Sequence, residues 1–133
     1  MFKHILIPTD GSELTSKAIL SGIALAKAVG AKVTGITVTV PSEVFADTKR
    51  TSAAAEQHLA EIKDAAVAAG VAYSVIHAEH EHPYQAIIDA ATKIGCDLIV
   101  MASHGRRGVS ALMLGSETVN VLTHCTVPVL VYR

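Results

Sequence analysis

This sequence has no excess of basic residues, no membrane-length apolar run, no paired-cysteine motif and no internal repeat, and each absence removes a class of function. Eleven lysines and arginines stand against twelve aspartates and glutamates, leaving a formal net charge of -1. Broad nucleic-acid binding is therefore not expected, because it needs clustered cations to displace counterions from a phosphate backbone. No apolar run approaches the ~18 residues of a membrane span, and the opening segment reaches Pro8 and Asp10 too soon to hold the apolar centre of a signal peptide. A soluble, unprocessed, membrane-free protein is the expectation. The two cysteines, Cys96 and Cys125, lie in or beside apolar segments without CxxC spacing. That usage favours buried thiols in a reducing cytoplasm over a disulfide.

What is present is apolar bulk in an ordered alternation. Half of the 133 residues are hydrophobic, enough for one domain, 1–133, with a sizeable core and no linker or low-complexity tract. Short apolar runs at 4–8, 32–40, 72–78, 97–102 and 127–132 read as strands. Helical spacing of apolar positions marks 13–29, 51–69, 83–94 and 116–124 as helices, with Gly30, Gly70 and Gly95 as stops after the first three. Residues 42–49 carry the least pattern. Five apolar strands separated by helices imply an α/β, doubly wound, mostly parallel sheet covered on both faces. In such sheets ligands bind beyond the carboxyl ends of the strands, where the winding reverses. The alanine-rich faces of the first two helices read as core packing.

Familiar nucleotide fingerprints are missing: GxxxxGK[ST] is absent, and so is GxGxxG after the first strand. The segment after the fourth strand nevertheless carries phosphate chemistry. Gly105 and Gly108 permit positive φ or close approach to a ligand, and Arg106 and Arg107 can meet anionic charge. Gly115 and Ser116 then open a helix whose first N–H groups, on Ser116, Glu117 and Thr118, lack intrahelical partners, and the hydroxyls of Ser116 and Thr118 add donors. A solvated loop followed by an ordinary serine N-cap explains the same residues. Asp10 likewise has two readings, as a ligand for ribose or metal and as part of a capping box with Glu13. His77, His80 and His82 could hold a transition metal, but their loose spacing and the interleaved Glu79 and Glu81 favour a solvated connection before Pro83. Ser12, Ser103, Ser116, Asp10 and His104 could gather as hydrolase groups, yet nothing matches the G-x-S-x-G elbow that exposes a nucleophile.

Ala102-x-x-Gly105, nine residues, then Gly115-Ser116, following Leu98-Ile-Val-Met101, resembles the G-x2-G-x9-G-[S/T] signature of the universal stress protein family. Ile5-Leu-Ile-Pro-Thr-Asp-Gly-Ser12 and Pro128-Val-Leu-Val131 resemble the same family, so the likeness spans the chain. It implies strand order 3-2-1-4-5 in an adenine nucleotide alpha hydrolase-like fold, a homodimer paired through the last strand (Val127 to Tyr132), and bound ATP, with Mg2+ as a companion. By position, Pro8, Thr9, Asp10 and Val38 would surround adenine and ribose. Ala102, Ser103, His104, Gly105, Arg106, Arg107 and Gly108, with Gly115, Ser116, Glu117 and Thr118, would hold ribose and phosphates. His104 would shape the loop or touch phosphate, and the Glu117 carboxylate must point away while its N–H serves. Ala102 departs from the signature, which has glycine there. The implied role is a cytoplasmic stress-response sensor or regulator with no assigned catalytic residue or metal ligand. The alternatives are a dimeric interaction protein on the same scaffold that binds no nucleotide, and a slow nucleotide hydrolase.

Overall fold

The computed structural model describes residues 1–43, 48–105 and 113–133. Strand β1 (His4–Pro8) leads to α1 (Glu13–Val29), β2 (Lys32–Thr39), a short 3-10 turn (Pro41–Glu43) and α2 (Thr48–Ala69). Then follow β3 (Tyr73–Glu79), α3 (Pro83–Ile94), β4 (Leu98–Ala102), α4 (Ser116–His124) and β5 (Val129–Tyr132). All the pairings are parallel and the order is β3-β2-β1-β4-β5. The doubly wound sheet inferred from the alternation is therefore present in the implied order.

Alternation along β1 explains the two layers. Ile5 and Ile7 join a core under α1 and α2 with Ile19, Ile23, Ile62 and Val100, whereas Leu6 joins Ile36, Ile87, Ile99 and Val121 under α3 and α4. Period-two side chains with both faces covered must be apolar at every position, and Ile5, Leu6 and Ile7 are fully buried. The α2 layer sits close: a Cβ on Gly35 of β2 would fall 2.6 Å from Ile62 Cδ1, so only glycine lets the helix dock there.

Element boundaries differ from the sequence reading where backbone chemistry intervenes. β4 begins at Leu98 and not Asp97, because the Asp97 carboxylate turns back to accept from the N–H groups of Lys3 (2.9 Å) and His4 (3.0 Å). Burial pushes this acid up, but those two donors outweigh it and hold it below the usual carboxylate range. β5 begins at Val129, after Pro128, which has no N–H to give and only accepts from Ile99 N at 2.9 Å. α2 begins at Thr48, three residues before the expected start. Cys96 is buried, which pushes its thiol up to about 11, while Cys125 is half-buried; both are free.

One polar chain crosses the sheet. His4 Nε2 lies 2.6 Å from Thr34 Oγ1, which lies 2.7 Å from Ser74 Oγ, linking β1, β2 and β3. Burial pushes the His4 ring below its ordinary value and Lys32 adds to this, while Asp97 and the Ile94 carbonyl oppose it. The unfolded chain then takes up a proton that the folded chain resists, so stability declines as pH falls through the ordinary histidine value near 6.5. Thermal midpoints taken from about pH 8 down to about pH 5 should decrease, with a shallower slope in His4→Gln than in the natural protein. An identical slope in the variant would refute this assignment.

Candidate functional site

At the carboxyl edge of the sheet the connections after β1 and β4 leave in opposite directions, and a cleft of about 880 Å³ opens between them. Its size suits a small organic ligand. A smaller hollow of about 300 Å³ at the other end of the sheet offers mostly alanine and glycine with Lys27 and Lys32, and no convergent polar set.

The β1 side of the cleft is built by short-range hydrogen bonds. Ser12 is the N-cap of α1, its Oγ accepting from Thr15 N at 3.3 Å. Asp10 supports that cap: its Oδ1 accepts from Ser12 N (3.0 Å) and from the Thr15 hydroxyl (2.9 Å). Thr37 donates its hydroxyl to the Thr9 carbonyl at 2.9 Å, tying β2 to the same turn. The Asp10 carboxylate meets the β4 side as well, because a Cβ placed on Gly105 would collide with it. The cap of α1 is thus Ser12 and not an Asp10–Glu13 box; Asp10 braces that cap and faces Gly105.

The β4 side is a backbone relay. Ser103 N donates to the Tyr132 carbonyl (2.7 Å), and Gly115 N donates to the Ser103 carbonyl (2.7 Å). Gly115 packs so closely that a Cβ there would stand 3.1 Å from His104 Cα and 3.3 Å from Ser103 O. As N-cap of α4, Gly115 brings no side-chain acceptor, so the first-turn N–H groups of that helix are left to another partner. Glu117 Oε2 accepts from Tyr84 N at 2.7 Å. The N-cap of α3, His82, makes no side-chain capping bond and Pro83 follows it, so Glu117 serves as the acid at the α3 N-terminus. This is the turning away that a phosphate at α4 requires.

Of the residues singled out in the sequence, Pro8, Thr9, Asp10, Val38, Ala102, His104, Gly105, Gly115, Ser116, Glu117 and Thr118 line the cleft. Ser103 does not; it is buried, with its hydroxyl 3.2 Å from His104 Nδ1. Thr118 keeps its place but not the expected use of its hydroxyl, which donates to the Ala102 carbonyl at 2.9 Å. That buried carbonyl at the strand end needs a donor, and the hydroxyl supplies it. Arg106, Arg107 and Gly108 lie outside the described residues. Ala102 ends β4 in extended backbone, which alanine adopts without strain.

The sequence reading passed over the wall that α2 contributes, including Arg50, Thr51, Ala54, Ala55 and His58. Alanine spacing alone looks like core packing, and nothing local says which turn of a helix overhangs a sheet edge. Glu81 also lines the cleft and accepts from Ser42 N (2.9 Å) and Ser42 Oγ (2.7 Å); that hydroxyl bond is the main reason its carboxyl lies below the ordinary range. The three histidines nearby do not converge. His77 Nε2 is 2.7 Å from Thr39 Oγ1 and His80 Nδ1 accepts from His82 N, and among the described residues no three candidate ligands gather around one point.

Comparison with known proteins decides the affiliation. The family model described as universal stress protein family matches residues 1–133. This chain belongs to that family. It is 34% identical over 151 residues to universal stress protein YxiE of Bacillus subtilis, with all of both chains covered. It is also similar to a solved universal stress protein in complex with cAMP (TM-score 0.78, 23% identity, 99% of this chain and 97% of that one). A universal stress protein of Archaeoglobus fulgidus in complex with dAMP superposes with a TM-score of 0.75 at 16% identity, covering 100% of this chain and 98% of the other. The fold of the universal stress proteins is thereby shared along the whole chain. No helix among the described residues is long and apolar enough to cross a membrane.

Replacing Thr118 by valine keeps its shape and removes the donor to Ala102 O. Urea unfolding should show a loss of about 1 kcal/mol, and an unchanged free energy would mean that the carbonyl finds another donor.

Proposed function

We propose that this universal stress protein binds ATP or a related adenine nucleotide in the cleft and acts as a cytoplasmic stress-response sensor or regulator, one domain over 1–133. One observation carries the reading: the turn after β1 and the glycine segment after β4, far apart in sequence, meet where the Asp10 carboxylate abuts Gly105. Pro8, Thr9, Asp10 and Val38 border adenine and ribose, and Ala102, His104 and Gly105 with 115–118 border ribose and phosphates. The groups fit. The N-terminus of α4 suits phosphate, Gly105 and Gly115 stand where a Cβ would meet its neighbours, and the Glu117 carboxylate is engaged at α3. Related folds holding cAMP and dAMP support the same class, since those two ligands have adenine and phosphate in common. Mg2+ would accompany the triphosphate as a counter-charge.

Calorimetric titration with ATP and magnesium tests this, alongside Gly115→Val. The natural protein should bind, and the variant should weaken binding about tenfold or more, because valine must displace the His104 backbone. No heat from the natural protein at any workable concentration would sink the reading. Phosphate release under single-turnover conditions then asks whether bound ATP is hydrolysed.

The edge of the sheet supports a homodimer through 127–132. Leu130 of β5 is 41% exposed and shares a register position with Val100, on the α1 side. Val119 and Leu122 are exposed on α4, whose Glu117 and His124 face Tyr84 of α3, so these two project beyond the other side of the same edge. An edge strand with open hydrogen-bonding groups and apolar side chains on both faces is well suited to pairing with a second copy. Light scattering after size exclusion should give a dimer for the natural chain and a monomer for Leu130→Arg; a natural monomer would overturn the assignment.

A further inference from the structure

Two glycine notches seat α2. Ile62 fills the first, against Gly35 of β2. His58, four residues earlier and on the same face of the helix, fills the second: its ring takes the space that a Cβ on Gly11 would need. Gly11 has φ +77°, a conformation that side chains rarely share, so the turn after β1 both demands glycine and leaves room for an imidazole. The ring is half-buried and lines the cleft with Val38, Ala54 and Ala55.

We propose that His58 is a specificity-determining residue that contacts the purine ring of the bound nucleotide; the proposal rests on the adenine-nucleotide reading above. The cleft has two unlike ends. Around β4 it offers glycine backbone and the start of α4, which suit phosphate, whereas towards α2 and β2 it offers Val38, Ala54, Ala55 and the His58 ring, with Arg50 and Thr51 earlier on α2. A nucleotide with its phosphates at the first end places its base at the second. There an imidazole supplies a flat face for stacking on the purine ring. Packing against Gly11 holds the ring before the ligand arrives, so little ordering cost is left for binding.

The test titrates the full chain with adenosine, AMP, ATP and GTP, comparing the natural protein with His58→Ala and His58→Phe. Base contact predicts that His58→Ala weakens adenosine, AMP and ATP by one common factor of about tenfold and narrows the preference for ATP over GTP. His58→Phe, which keeps a flat ring, should recover part of the loss. In the natural protein the His58 ring resonances should shift on saturation with adenosine, a readout that stands even if the variants fold poorly. A loss that grows with the number of phosphates would make His58 a charge partner and overturn the proposal, as would static His58 resonances in adenosine-saturated protein. Unchanged affinity in His58→Ala overturns the role of His58 and leaves the adenine reading standing. Absence of binding by the natural protein overturns both.

Discussion

Burial of β1 on both faces and both edges is the constraint from which the site follows. With β2 on one side, β4 on the other and helices above and below, β1 can only be a continuous apolar run, and Ile5, Leu6 and Ile7 are sealed from solvent. The chain leaves β1 towards β2 and β3, then returns past it to β4 and β5. The connections after β1 and β4 meet where the Asp10 carboxylate abuts Gly105, and the cleft opens beside that contact. Topology opens a cleft at this edge before any polar residue is considered.

Polar groups around the cleft are mostly fixed by structural duties that also orient them. Asp10 steadies the α1 cap and in doing so faces Gly105. Glu117 lines the cleft while its carboxylate accepts from Tyr84 N at the start of α3. Thr118 completes the end of β4. Ser103 joins Gly115 to Tyr132, so the glycine turn and the sheet edge share a rigid backbone link. A site assembled in this way needs little rearrangement to receive a ligand, because the groups that could spoil it are already hydrogen-bonded elsewhere.

Much of the fold was legible because period and punctuation agree along the chain. Apolar runs, helical spacing and the glycines after α1, α2 and α3 each marked the same boundaries, with shifts of one to three residues where Asp97, Pro128 and the start of α2 obeyed backbone chemistry. The site was legible on its β1 and β4 sides, where short motifs carry the signal. Its α2 wall was not. Whether His58 faces solvent, core or cleft depends on how far α2 slides along the sheet, and that is set by Ile62 meeting Gly35 some 27 positions away. The histidine run before α3 reads in sequence as a solvated connection. In the structure His77 bonds to Thr39 while the His80 and His82 rings lie near each other, with no three candidate ligands gathered at one point among the described residues.

The sequence by itself determined the class of the fold, the apolar character of the central strands β1 and β4 and the segments able to meet a phosphate, because these rest on local periodicity and on residue chemistry that needs no partner. Tertiary structure alone decided which of those groups share a cleft, which carboxylate turns away from it and which helix closes it. Those outcomes depend on contacts between residues far apart in the chain, such as Asp10 with Gly105, and distances of that kind are set by packing of the two layers rather than by any local pattern.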